Sequence, residues 1–288
     1  MHQEFERRFA EQHGIIYAEG ATFSGSQVFA ALQEIETLAR QIGENSLERA
    51  RAFALMSELQ RRRQEWEDAA ALGKQSLAIQ EVSGDLPGRD LFDLHHGIAV
   101  AAEQMGDLDA AATHYRAAAR LMAAQPRLTE SQRLGVRQSL GYALHKSGAY
   151  EEARSVNLSL LEDAERVFGT KDPRLTGVLS NLAQNEYELG NLAVAENYLQ
   201  RRLGLARDSK KLAIELDTLF QLSVLAFERS NENEARRLMS ERLDIARSRG
   251  DSFDVKAAGK SIAELDRRIV AASHKGKILF PAQQADTR

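Results

Sequence analysis

Five alanines recur at a nearly constant spacing, and this spacing constrains the fold more than any other feature of the sequence. The steps between them are 42, 42, 42 and 40 residues. The alanines are Ala69, Ala111, Ala153, Ala195 and Ala235. A fixed period with small residues where helices meet is typical of an array of stacked helical units. We therefore predict an all-α protein built from helix-turn-helix repeats.

A turn position precedes each of these alanines by five residues and supports the same register. The residues at this position are Gln64, Gly106, Gly148, Gly190 and Ser230. Glycine suits such turns because it adopts left-handed backbone conformations without steric cost. Gln64 and Ser230 depart from the pattern, and the best-formed unit is 169–203, around Gly190.

The periodicity divides the chain into a repeat region and two ends. Residues 46–250 hold the repeats, with individual units at roughly 46–81, 89–123, 130–167, 173–207 and 211–248. Residues 1–45 are either a degenerate first unit or an N-terminal cap, and residues 251–273 form a predicted C-terminal capping helix. Such caps cover the apolar face of an end repeat. The tail 274–288 is either loose or docked on the body through Ile278, Leu279 and Phe280, and we favour docking of these three residues.

The N-terminal 45 residues contain two predicted helices. Residues 2–13 place Phe5 and Phe9 on one face, because side chains four residues apart lie together on a helix. The stretch from Gly14 to Ser26 is predicted to be a long connection. A second helix is expected over 26–42.

Composition excludes several classes of protein. The chain has no cysteine, which removes disulfides, thiol catalysis and thiolate metal sites. Its net charge of −4 argues against nucleic acid as the partner. No apolar run approaches the roughly 20 residues that span a bilayer, and the charged N-terminus does not look like a secretory signal. We expect a soluble, cytoplasmic protein without a membrane partner.

The repeat residues resemble the tetratricopeptide repeat family, with its Leu-small pair in the first helix, turn glycine and second-helix alanine. The fourth unit is similar to the 42-residue variety found in kinesin light chains and in bacterial stand-alone repeat proteins. The residues that carry this likeness are Gly169, Asp172, Pro173, Leu179, Asn181, Leu182, Ala183, Gly190, Ala195 and Glu196. Asp172 stands where that variety usually has His. The resemblance implies a right-handed superhelix (an α-solenoid) whose concave groove binds a protein or peptide.

In that family the first helices line the groove, and projecting each one from its Leu-small pair predicts the binding face. The residues favoured as partner contacts are Arg61, Arg62, His96, Gln138, Tyr142, His145, Asn181, Gln184 and Tyr187. The projection also includes Arg51, Glu58, Asp93, Gln221 and Phe227. Amides bond a peptide backbone in both directions, and aromatic rings pack its side chains.

Each of these residues also has a purely structural interpretation. Asn181 can bond a neighbouring helix, and Tyr142 and Tyr187 can pack between repeats. His96 and His145 lack the third ligand of a metal site, so hydrogen bonding is favoured over ligation. Arg61 and Arg62 fit a solvated helix end better than a clamp for an acidic ligand.

No group of residues suggests catalysis, and we predict neither an enzyme nor a cofactor or metal. The segment from Gly73 to Ser76 lacks the upstream glycine of a phosphate-binding loop. The leading hypothesis is a scaffold or adaptor that binds a protein or peptide, with self-association as a further option. Two alternatives stay open: a bacterial peptide-responsive regulator, and a chaperone or immunity protein that neutralises one dedicated partner.

Overall fold

The computed structural model describes residues 1–18, 24–84, 86–126 and 128–248, and in addition residues 255, 256, 259, 260, 262, 263 and 267. These residues form α-helices with two short 3-10 turns and no strand, which confirms the all-α prediction. The helices are α1 (His2–Tyr17), α2 (Gly25–Ile42), α3 (Leu47–Arg62), α4 (Trp66–Ser83), α5 (Gly88–Gln104), α6 (Leu108–Leu121), α7 (Glu130–Lys146), α8 (Tyr150–Phe168), α9 (Thr176–Glu188), α10 (Leu192–Asp208), α11 (Leu212–Glu228) and α12 (Glu232–Ser248).

The chain divides into two compact units, Met1–Ala149 with α1 to α7 and Tyr150–Arg288 with α8 to α12. In the first unit, α4 packs on its own partner α3 and on the following helix α5, and α6 does the same with α5 and α7. The helices α1, α3 and α5 also contact one another in succession. We call these three helices the first-helix layer. The predicted contacts Arg61, Arg62 and His96 lie on α3 and α5 of this layer, and the other predicted contacts lie on α7 and α9.

The second unit packs each helix against the next along the chain, from α8 to α12. Its core combines leucines with the small residues Ala183 and Ala195, both almost fully buried. Ile262 lies partly buried against Phe227, Ala235 and Met239. Of the predicted capping helix, only the few positions given above are described. The tail, with Ile278, Leu279 and Phe280, lies outside the described residues.

One kind of tight turn joins the two helices of every repeat. The residue at the turn has a left-handed backbone, with φ between 61° at Ser230 and 85° at Gly148. The amide after it bonds the carbonyl five residues back, for example Asn191 N to Glu186 O at 2.7 Å. Gln64 and Ser230 adopt this conformation although they carry side chains. The departures seen in the sequence therefore change the residue and leave the turn intact.

The shortened last step of the repeat has a local cause. Between Asp208 and Leu212 the chain makes the same left-handed turn, at Lys210 with φ 55°, and Lys211 N bonds Ala206 O at 2.8 Å. The preceding repeats are joined by longer connections, such as the segment from Gly169 to Pro173. The compact linker brings the spacing from 42 to 40 residues.

The N-terminal connection is shorter than predicted. The helix expected to stop before Gly14 continues to Tyr17, and the next begins at Gly25. Its extension buries Ile16 completely beside Phe5 in the core of the first unit. The helix runs through Gly14 without a break. A Cβ added at this position would meet nothing within 4 Å, so no close packing contact requires a glycine here.

Gly73 has a packing role. A Cβ at this position would lie 2.5 Å from Cγ1 of Ile98, so α4 approaches α5 more closely than any larger residue allows. Nearby, the buried hydroxyl of Ser76 donates to Ala50 O at 2.7 Å. In the second unit, Arg202 occupies the position of its repeat that is equivalent to Ser76, and it donates to Thr176 O at 3.2 Å. Each contact joins the second helix of a repeat to the start of its first helix.

The turns predict opposite effects for two glycine substitutions. Gly190→Ala should lower the free energy of unfolding by about 1 kcal/mol, because an L-residue pays roughly 1–2 kcal/mol in the left-handed region. Gly204→Ala, in the exposed middle of α10, should raise it by up to about 1 kcal/mol through helix propensity. Urea denaturation followed by circular dichroism measures both. Equal effects at the two positions would contradict the role assigned to the turn.

Candidate functional site

A cleft lies on the first-helix layer of the first unit, with α1 as one wall, α3 as the floor and α5 as the other wall. Its volume is about 490 Å³. The lining residues are Glu6, Phe9, Ala10, His13, Tyr17, Arg51, Ala54, Leu55, Arg89, Asp90 and Asp93. Because three alternate helices that contact one another in succession supply these side chains, the cleft is a product of the repeat stacking.

The α1 wall carries a ladder of rings at four-residue spacing. The centroids of Phe5 and Phe9 are 5.4 Å apart, those of Phe9 and His13 are 6.0 Å apart, and those of His13 and Tyr17 are 4.5 Å apart. Four-residue spacing stacks side chains on one face of a helix. Phe5 and Phe9 are buried, whereas Tyr17 is 42% exposed. The ladder thus runs from the core into the open end of the cleft.

Arginines from α3 hold this wall in place. The Arg51 guanidinium lies 4.4 Å from the ring centroid of Phe9 and bonds Glu6 Oε1 at 2.6 Å. Arg62 lies 4.9 Å from the centre of the Tyr17 ring. Each cation–π contact is worth about 0.5–1 kcal/mol at a partly exposed position. The contacts of both arginines therefore fix α1 on α3 as a preformed wall.

The α5 wall is rich in carboxylates. Asp93 contacts Arg89 at 3.4 Å, and Asp90 lies one turn earlier in the same helix. Burial raises the pKa of Asp93; Arg89 opposes this change, and Asp90 and Glu58 add to it. Burial, together with the charges of Glu58 and Asp93, also raises the pKa of Tyr17. With two carboxylates and one guanidinium in the lining, the α5 wall carries one net negative charge.

The two arginines predicted as partner contacts are engaged within the chain. Arg61 bonds both oxygens of Glu58, at 2.7 and 2.8 Å, and Arg62 bonds Oε1 of the same carboxylate at 2.6 Å. Glu58 is also the main reason that the pKa of Arg61 is raised. Through Arg62 and Tyr17 this cluster adjoins the end of the cleft. None of the nine favoured residues lines the cleft itself, although the projected residues Arg51 and Asp93 do.

His96 is held among rings. Its imidazole stacks on Phe92 at 6.0 Å and meets the edge of Tyr115 at 5.9 Å. Burial and, secondarily, the charge of Arg61 lower its pKa. The buried Tyr115 donates its hydroxyl to Glu103 at 2.6 Å. His96 is therefore a neutral, partly buried group beside the arginine cluster.

The three predicted residues of α7 differ in exposure. Gln138 is exposed and Tyr142 is 38% exposed. His145 is partly buried and already interacts with another group of the chain. Lys146 Nζ lies 5.8 Å from the centroid of the Tyr142 ring. Gln138 and Tyr142 are thus accessible to a partner.

In the second unit, the predicted residues lie on α9. Asn181 and Gln184 are partly buried, and Gln184 Nε2 lies 3.5 Å from Ser180 Oγ. Tyr187 packs against the core that contains Ala183 and is only partly accessible. These three side chains share one short helix.

The groove projection is wrong for two residues of α11. Gln221 is 3% exposed and bonds Asp217 at 3.0 Å, and Phe227 is 9% exposed. Phe227 packs with Ala235 and Met239 of α12. Residues are buried on several faces of α11, so a projection that assumes one open face fails there.

Comparison with known proteins agrees with this architecture. Residues 135–208 match the family model described as tetratricopeptide repeat. Residues 135–208 therefore contain tetratricopeptide repeats. Among curated proteins, none matches the sequence.

Solved structures share the repeat fold at low sequence identity. The apo form of RapI is 16% identical, with a TM-score of 0.63 over 94% of this chain and 75% of RapI. BtubC (BKLC) from P. vanneervenii is 16% identical, with a TM-score of 0.55 over 80% of this chain and 94% of BtubC. YrrB is 15% identical, with a TM-score of 0.51 over 78% of this chain and 97% of YrrB. At these identities the likeness concerns the tetratricopeptide fold alone.

Two features are absent from the described part of the chain. No group of three or more His, Cys, Asp or Glu side chains there is placed to hold a metal ion. None of the described helices is long and apolar enough to cross a membrane.

A pair of histidines joins the two helices of the second repeat. Nδ1 of His95 on α5 lies 3.0 Å from Nδ1 of His114 on α6, with the ring centroids 5.3 Å apart. The nitrogens point at each other, so one imidazole donates a hydrogen bond to the other. Burial, followed by the charges of His95 and Lys74, lowers the pKa of His114 to about 4.

This pair predicts a loss of stability in mild acid. The folded pKa of His114 lies below the unfolded value of about 6.5, so its contribution is present above pH 6.5 and is lost as the pH falls towards 4. Discounted for the half-exposed position, the loss is about 1–2 kcal/mol. Urea denaturation at pH 7 and pH 5 should show a smaller pH effect for His114→Asn than for the wild type. An unchanged pH effect in His114→Asn would refute the assignment.

Proposed function

We propose that this protein is a non-enzymatic interaction module that binds a protein or peptide on its first-helix layer. The cleft between α1, α3 and α5 is its main contact. The observation that carries the proposal is a concave site of about 490 Å³ with an aromatic wall, an arginine floor and a carboxylate wall. This volume falls in the range of roughly 300–1,000 Å³ typical of ligand sites.

The construction of the cleft suits binding. Arg51 ties α1 to α3 through Glu6 and the rings of Phe5 and Phe9, so the walls exist before a partner arrives. A preformed site spares the partner the cost of ordering it. Tyr17 offers an exposed ring with a polar edge, which suits contact with a partner. YrrB, which shares this fold, is described as having an unusual peptide-binding site, and its example supports a peptide as the partner here.

The contacts predicted from the sequence remain part of the proposal. Arg61, Arg62 and His96 would flank the cleft at its Tyr17 end. Gln138, Tyr142 and His145 in the first unit, and Asn181, Gln184 and Tyr187 in the second, stay predicted partner contacts. A scaffold, a peptide-responsive regulator and a chaperone or immunity protein all need this binding step. A cytoplasmic location, self-association and the absence of catalysis also stay predictions.

A substitution on the floor of the cleft tests the proposal. Ala54 is a partly buried cleft residue of α3, so Ala54→Arg places a long side chain where the partner would lie. Peptides selected from a phage-displayed random library on the wild-type chain should bind this variant at least about tenfold more weakly, a loss of about 1.4 kcal/mol. The readout is fluorescence anisotropy with labelled peptides.

Ala71→Arg is the matched control, because Ala71 is exposed on α4 outside the cleft. Circular dichroism confirms that both variants fold. If no peptide is enriched on the wild type, or if both variants bind the selected peptides as well as the wild type does, the cleft is not the binding site.

A further inference from the structure

The chemistry of the cleft indicates which peptides it accepts, and this inference rests on the function proposed above. Its lining contains three carboxylates, Glu6, Asp90 and Asp93, against two guanidinium groups, Arg51 and Arg89. The charges are distributed unevenly between the walls. Glu6 and Arg51 neutralise each other at 2.6 Å beside α1, whereas Asp90, Asp93 and Arg89 leave α5 with one net negative charge.

Arg51, Arg61 and Arg62 have little capacity left for an acidic ligand, and Arg89 is shared with Asp93 at 3.4 Å. Arg51 is bonded to Glu6 and lies against the Phe9 ring, with its side chain only 22% exposed. An acidic peptide would have to displace Glu6 and leave that carboxylate without its partner. At the Tyr17 end, Arg61 and Arg62 are likewise bonded to Glu58.

The carboxylates of α5 are in the opposite position. Asp90 has no ion-pair partner in the described part of the chain, and Asp93 has only the 3.4 Å contact with Arg89. Burial in the cleft partly desolvates Asp93 and raises its pKa, and the charges of Asp90 and Glu58 raise this pKa further. A cation bound here would offset that desolvation. Alkyl portions of its side chain would lie over Ala10 and Ala54, which also line the cleft.

We infer that the cleft binds a peptide segment that places a lysine or arginine side chain between Asp90 and Asp93 and an adjacent apolar residue against α1. Charge complementarity selects this occupant over an acidic peptide. Arginine has the added advantage that its planar fork bonds two carboxylates at once.

The same phage-displayed library tests the inference when it is selected on the full-length wild-type chain. The enriched sequences should share a lysine or arginine next to an apolar residue. Asp90→Asn/Asp93→Asn keeps the shape of both side chains and removes their charge. The selected peptides should bind this variant about tenfold or more weakly, with a smaller dependence of affinity on salt concentration.

Asp109→Asn/Glu67→Gln is the control, because it removes the same charge from exposed positions on α6 and α4 outside the cleft. It should bind the peptides with wild-type affinity. Enriched peptides without a basic residue, or equal affinity for the cleft variant and the control, would overturn the inference while the proposed function stands. The absence of any enriched peptide would overturn both.

Discussion

The fold depends on one backbone hydrogen bond, which closes the turn inside each repeat. An amide just past a left-handed residue bonds the carbonyl five residues earlier, and the same bond recurs from Glu65 to Asn231. It fixes where the second helix starts relative to the first. Within each compact unit, small residues such as Gly73, Ala183 and Ala195 then pack against a neighbouring helix. Stacking of first helices, and with it the cleft, follows from that geometry.

Within the first unit, the charged side chains of the cleft serve two different purposes. Glu6 of α1 is bonded to Arg51 of α3 and holds the wall formed by α1, whereas Glu58 neutralises Arg61 and Arg62 within α3 itself. Asp90 and Asp93 are weakly compensated and face the open space. Paired charges on the floor and uncompensated charge on one wall make the cleft both preformed and selective. That division underlies the peptide chemistry that we propose.

The sequence predicts the repeats well because they follow from spacing and small residues. The turn at Gln64 was harder to anticipate, since glutamine does not favour a left-handed backbone; the cost of roughly 1–2 kcal/mol is small enough for packing to absorb. Lys210 carries no local signal for its left-handed backbone, although the predicted units 173–207 and 211–248 already leave a short linker at this place. The burial of Phe227 depends on contacts with α12 that periodicity does not reveal.

The cleft was missed for a related reason. The ring spacing from Phe5 to Tyr17 is visible in the sequence, but the sequence places the end of the helix before Gly14, which separates Tyr17 from the ladder.

The most direct test of the central claim is photo-crosslinking of a selected peptide carrying a benzophenone, with the products mapped by mass spectrometry. Crosslinks should fall within 2–17, 47–62 and 88–104. Crosslinks confined to 192–248 would contradict the assignment of the binding site to the first-helix layer.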